Sequence, residues 1–180
     1  MKKFLPFALA LLFLTACSSE PSLQKYFVEK SEKPNFVSAD ISPSILNVKP
    51  ELLTSEQQNA LKTFKKMNVL AFQKNDSNAT SYDAESAKVK EILKDEKYQE
   101  LMHFGSGKDG GSISFVGSES HIDEFVLFAN RKENGFAVVR VLGDDMTPDG
   151  ILQMVSLLQS SNLDLDQLKP LQQIISNNKK

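Results

Sequence analysis

Gly105-Ser106-Gly107-Lys108-Asp109-Gly110-Gly111 sets a lysine inside glycine-rich backbone, the composition of a phosphate cradle. Such cradles work because glycine lets backbone N–H groups approach the phosphate oxygens while the ammonium supplies charge. The spacing departs from the P-loop frame. Met102 stands five residues ahead of the Gly107-Lys108 pair where that frame needs glycine, and Asp109 follows the lysine in place of Ser or Thr. Apolar alternation on both sides makes the segment a flexible hairpin loop between two strands. His103 and His121 are the only imidazoles, and with Asp123, Glu124, Asp144 and Asp145 they offer nitrogen and oxygen ligands of the kind zinc or manganese takes. No pair of them has a recognised ligand spacing, so solvated or core-edge histidines are expected and no metal. Asp144-Asp145 with Asp149 could serve acid–base work or calcium, but the alternating oxygen ligands, central glycine and closing glutamate of an EF-hand loop are absent. A turn and a helix cap account for these acids. Ser106 lacks the Gly-x-Ser-x-Gly frame of a nucleophile elbow and has no base. No catalytic residue and no cofactor is expected, and the chain is expected not to be an enzyme.

The best-defined chemistry lies at the N-terminus. Lys2 and Lys3 precede an apolar run from Phe4 to Leu14, and Thr15 and Ala16 lead into Cys17, which is the layout of a secretory signal. The run is eleven residues long, whereas a helix crossing about 30 Å of hydrocarbon needs about twenty. Leu14-Thr15-Ala16-Cys17 resembles the lipobox of bacterial lipoproteins. That resemblance implies diacylglycerol on the Cys17 thiol, cleavage in front of it, and acylation of the new amino group by a chain such as palmitate. One acyl chain anchors only marginally, at about 0.8 kcal/mol per buried methylene, so a multiply acylated terminus is what gives lasting attachment. The expected division is 1–16 as signal peptide, 17–22 as lipidated N-terminus and tether, and 23–178 as a single domain. Residues 1–16 are expected as an isolated helix that does not pack on the domain. Ser18 to Ser22 spans at most about 17 Å when extended, so the domain is expected close to its membrane.

Removing residues 1–16 leaves 164 residues with 19 basic and 23 acidic side chains, a net charge of −4. Cys17 is the only cysteine, so neither a disulfide nor a cysteine metal cluster is available. Only Arg131 and Arg140 are arginine, and with a mildly acidic balance and no basic stripe, no nucleic-acid partner is expected.

The elements that must position these residues follow from periodicity. Leu23, Tyr26 and Phe27 mark a first helix, and Phe36 to Ile41 alternates as a strand that Ser42-Pro43 stops, ahead of a short turn through Ile45 and Leu46. Thr54 with Gln57 forms a capping box for a helix running to about Lys66. Val69-Leu70-Ala71-Phe72 is apolar on both parities, which predicts a central strand covered on both faces for part of its length. Asn75 to Ser81 is polar and predicts a loop; Val89, Ile92 and Leu93 predict a third helix and Tyr98 to Phe104 a third strand. Ile113 and Phe115, then Phe125 to Phe128, then Phe136 to Leu142 predict three more strands joined as hairpins, with Asn134-Gly135 as a turn signal. Thr147-Pro148-Asp149 starts a helix whose expected buried stripe is Ile151, Met154, Val155 and Leu158. A last helix is expected from Leu165 to Ile175, with Pro170 starting, kinking or shortening it. The order αβαβαββββαα predicts an α+β fold, a two-layer sandwich whose mostly antiparallel sheet is backed by helices on one face.

The stretch from Leu23 to Leu158 resembles a family of small bacterial lipoproteins, found mainly in Bacteroidota, labelled domain of unknown function 4252. The matching pieces are the Tyr26-Phe27 helix, the strand into Ile41-Ser42, and the paired strands ending in Val141-Leu142-Gly143-Asp144 before an apolar helix. The family carries no established activity. Some members are encoded beside extracytoplasmic-function sigma factors, which implies an envelope-stress setting.

Together these features predict a lipid-anchored protein of the cell envelope, held to the membrane through acyl chains on Cys17. It is expected to bind or sense another envelope component, a protein partner among them, through its open sheet face or hairpin loops. The alternative is a small-molecule or lipid carrier whose apolar pocket would use Phe115, Phe125, Phe128 and Phe136. Ser18 stands after the cysteine where Asp would mark inner-membrane retention, so by analogy with other bacteria the outer membrane, facing the periplasm, is expected.

Overall fold

A computed structural model of the chain describes residues 21–46 and 49–160. Cys17, the expected helix over 1–16 and the expected helix over 165–175 lie outside the described residues.

Helix α1 (Leu23–Lys30) starts behind Ser22, whose hydroxyl accepts from the Lys25 backbone N–H, and it buries Leu23, Tyr26 and Phe27. Strand β1 (Phe36–Ile41) follows, then two short 3-10 turns, Pro43–Leu46 and Pro50–Leu52. Both halves of the capping box form at α2 (Ser55–Thr63): Thr54 N–H donates to Gln57 Oε1 at 3.1 Å, and Gln57 N–H donates to Thr54 Oγ1 at 3.2 Å.

Two boundaries differ from expectation. Helix α2 ends at Thr63, not near Lys66, and β2 (Phe64–Gln73) begins at once. Phe64 closes the helix with its N–H on the Ala60 carbonyl but has extended backbone and pairs with Gly143. Ladder pairing thus claims a residue whose spacing also fits the helix. Asn75 to Ser81 is a helix start, not a loop. Asn75 and Asn78 form a reciprocal box around a 3-10 turn, Asp76–Asn78, that opens α3 (Ala79–Ile92). The polarity of the segment serves capping.

The remaining elements are β3 (Gln99–Ser106), β4 (Asp109–Ser118), β5 (His121–Arg131), β6 (Gly135–Met146) and α4 (Pro148–Ser160). All five strand pairings are antiparallel, in the order β1-β2-β6-β5-β4-β3. After β2 the chain crosses along α3 to the far edge, and β3 to β6 return as a meander that closes beside β2. The α+β class and the element order agree with the sequence reading as far as the described residues extend.

The layering does not. Helices cover both faces of the sheet, making three layers where two were expected. Leu70, Phe72, Val126, Phe128, Phe136 and Val138 share one cluster with α1 and α3. Ile41 and Val69 pack with Ala60 of α2 and with Met154 and Leu157 of α4. Because neighbouring strand residues point to opposite faces, Val69 and Leu70 can be buried in different clusters only if both faces are covered. The double-sided apolar run in β2 demands that cover, and Val138 with Val139 extends the demand to β6. Of the expected α4 stripe, Met154 is buried and Ile151 packs beside a third cluster around Phe115, Ile122, Phe125 and Met146. Leu157 is buried as well, and the side chains of Val155 and Leu158 lie outside the described residues.

Candidate functional site

The glycine-rich segment is the β3–β4 hairpin. Ser106 faces Asp109 across a two-residue turn, Gly107-Lys108, with Gly107 at φ +60°, the glycine-first turn that suits strand twist. The flexible loop is thus a tight turn. Its lysine is not aimed into a cradle: Lys108 Nζ donates to Asp83 on α3 at 2.6 Å, while Asp109 Oδ1 accepts from the Lys132 backbone N–H at 3.1 Å.

The two histidines are kept apart. His103 lies on β3 opposite Ser112, with Nδ1 3.9 Å from Glu100. His121 opens β5 opposite Ser118 and shares a 2.8 Å hydrogen bond with Ser120. Six strand positions separate Ser112 from Ser118, roughly 20 Å. Among the described residues no three of the His, Cys, Asp and Glu side chains gather where they could hold a metal. The acids have local uses: Glu124 is bound to Arg140, Asp144 pairs with Lys65, Asp145 takes a turn at φ +54°, and Asp149 sits in the first turn of α4. Thr147 caps α4 as expected, its hydroxyl accepting from Gly150 N–H at 3.1 Å. The four phenylalanines considered for a carrier pocket split between the faces. Phe128 and Phe136 pack under α1 and α3, whereas Phe115 and Phe125 belong to the cluster beside α4.

What the structure assembles instead is a two-sided hairpin. On the α3 side, a groove of about 390 Å³ runs between Lys90, Leu93 and Lys94 of the helix and the strands, floored by Ser112, Ser114 and Asn130. On the other side, Met102 and Phe104 stand exposed at 56% and 40%, beside Leu127 at 36%. The Phe104 ring lies over Gly111, where an added Cβ would come within 2.7 Å of it. Every residue of β3 is exposed, and β3 has a neighbour on one side only.

Ser112, Ser114, Asn130 and Arg140 did not stand out in the sequence. The serines alternate with Ile113 and Phe115 and so look like the wet face of a strand. Only the placement of α3 across that face buries them.

A family model described as Domain of unknown function (DUF4252) matches residues 26–154, from α1 through all six strands into α4. The chain belongs to this family. For this member of the domain of unknown function 4252 family, a second model, the prokaryotic membrane lipoprotein lipid attachment site, matches residues 1–18, which include Cys17. The protein is therefore a lipid-anchored component of the cell envelope. Among the described residues no helix is long and apolar enough to cross a membrane. No curated protein and no solved structure matches the chain.

Proposed function

We propose that this lipoprotein is a non-enzymatic binding module that captures an extended segment of another envelope protein along the free edge of β3. The carrying observation is that edge itself. It offers unpaired backbone groups over Gln99–Ser106, exposes Leu101, Met102 and Phe104 beside them, and holds neither lysine nor proline. Edge strands are usually blunted by such residues, because an open edge pairs with any strand presented to it. Blunting of the β3 edge is limited to the single charge of Glu100 and the register shift between Glu100 and Met102. Strand addition would take affinity from the main chain and specificity from alternate side-chain contacts. The opposite edge differs, since β1 is bracketed by Pro34 and Pro43 and buries Ala39 and Ile41.

Anchoring sets where this happens. Cleavage in front of Cys17 and acylation there would hold the domain at its membrane, and Ser18 favours the outer membrane with the domain facing the periplasm. The local uses of His103, His121 and the Asp144–Asp149 acids support a binding role over a catalytic one.

The test is in-cell crosslinking through a photoreactive residue at Met102, with Lys62 on α2 as the control position. A discrete adduct from the photoreactive residue at position 102 that an added His103→Pro change on the same edge removes is the expected result. Absence of any adduct, or the same adducts from both positions, would overturn the reading.

A further inference from the structure

The groove under α3 carries two groups that the fold leaves unused. Ser112 and Ser114 are 9% and 3% exposed, their side chains point to the α3 face, and neither hydroxyl has a hydrogen-bond partner among the described residues. Beside them, Asn130 is 3% exposed; its carbonyl oxygen accepts from the Tyr82 hydroxyl at 2.7 Å, which leaves its amide free to donate. Burying a polar group without a partner is costly, so three such donors converging on one cavity call for an acceptor. Lys90 supplies charge at the rim. Its ammonium sits 3.3 Å from the Gly107 carbonyl and 5.9 Å from the Phe128 ring centroid, with no carboxylate bound to it. The two other lysines nearby are engaged, Lys94 with Glu91 and Lys108 with Asp83, and the one carboxylate lining the groove, Glu100, is more than half exposed to solvent, 3.9 Å from His103 Nδ1.

We propose that this groove binds a phosphate group, its oxygens accepting from Ser112, Ser114 and the Asn130 amide while Lys90 neutralises the charge. Hydroxyl, amide and ammonium donors around a half-enclosed cavity are what a phosphate ester requires, and the Leu93 and Phe128 side chains accommodate its carbon portion. The position relative to the anchor adds a source. Lys94 lines this groove and also shares a surface depression with Pro21, which stands four residues after Cys17. Four residues reach at most about 14 Å, which keeps Pro21 near the membrane and makes phospholipid headgroups a source of the phosphate to be tested beside soluble phosphate esters. This site stands apart from the pairing proposed for the β3 edge, and either can fail without the other.

The experiment uses the mature lipoprotein in dodecyl maltoside micelles, which contain no phosphate. Glycerol phosphate is titrated in one arm and phosphatidylglycerol is mixed into the micelles in the other, with the amide resonances of Ser112, Ser114 and Asn130 followed by NMR. Saturable shifts at these positions are expected, weakened at least tenfold in Lys90→Gln and in the double variant Ser112→Ala/Ser114→Ala. The ligand-free double variant should melt at the same temperature or higher, because it loses only unpartnered hydroxyls, whereas a purely structural role would lower its melting point. A response to glycerol phosphate assigns a soluble ligand, and a response to phosphatidylglycerol alone assigns a headgroup. No saturable shift in either arm, or undiminished binding by both variants, would overturn the proposal.

Discussion

Arg140 and Glu124, on neighbouring strands, form a two-point ion pair beneath α1: Nε donates to Oε1 at 2.6 Å and Nη2 to Oε2 at 3.1 Å. Their side chains are only 5% and 12% exposed. The guanidinium also donates to Gln24 Oε1 at 2.7 Å and lies 5.4 Å from the centre of the Phe27 ring. One side chain thus joins β5, β6 and the helix nearest the lipid anchor.

Breaking a buried pair leaves a charge without a partner, which costs about 3–5 kcal/mol, whereas replacing both members with apolar groups is often close to neutral. Glu124→Ala should therefore destabilise the domain by that amount in urea unfolding. Arg140→Met combined with Glu124→Leu should recover most of the loss. Equal instability of the single and double variants would show that packing, not the orphaned charge, sets the cost.

Gly135 opens β6 at φ +119°, where an added Cβ would sit 1.9 Å from the Phe72 carbonyl oxygen on β2. Positive φ costs a non-glycine residue about 1–3 kcal/mol, and a backbone clash adds to that. Gly135→Ala should lower stability by more than about 2 kcal/mol, measured by thermal or urea melting. Gly107→Ala, at φ +60° with nothing within 4 Å of an added Cβ, should cost less.

Burial, followed by the hydrogen bond to Glu85, pushes the Tyr26 hydroxyl well above its ordinary range. A group whose pKa is raised by folding stabilises the fold fully below its unfolded value, about 10 for tyrosine, and that stability is lost as pH climbs towards the folded value. The melting temperature should fall above about pH 10. Tyr26→Phe, which has no proton to lose, should show a shallower fall between pH 9 and 11 than the wild type. Parallel curves would remove Tyr26 as a contributor.

The strands were legible because alternation is local: Phe36 to Ile41 and Phe136 to Leu142 carry their faces in their own residues. The three-layer arrangement was half visible, in the double-sided run at Val69 to Phe72, but no local signal tells which helices supply the second cover. Helix α2 and β2 meet at Phe64 without a linker, and there the 3.6-residue and 2-residue periods overlap. The Arg140–Glu124–Gln24 link was illegible because it depends on strand register and on a contact across 116 positions. The groove was hidden for a related reason. Ser112 and Ser114 carry the pattern of solvent-facing residues, and their burial comes from a helix that starts more than thirty positions earlier.

The most direct test of lipid anchoring at Cys17 is membrane fractionation of cells expressing the wild type or Cys17→Ala, paired with metabolic labelling by an alkyne analogue of palmitate. The wild type should sediment with membranes and carry the label, and the variant should carry none and leave the membrane fraction with its fold intact by circular dichroism. A Cys17→Ala protein that still sediments with membranes would contradict anchoring through this residue.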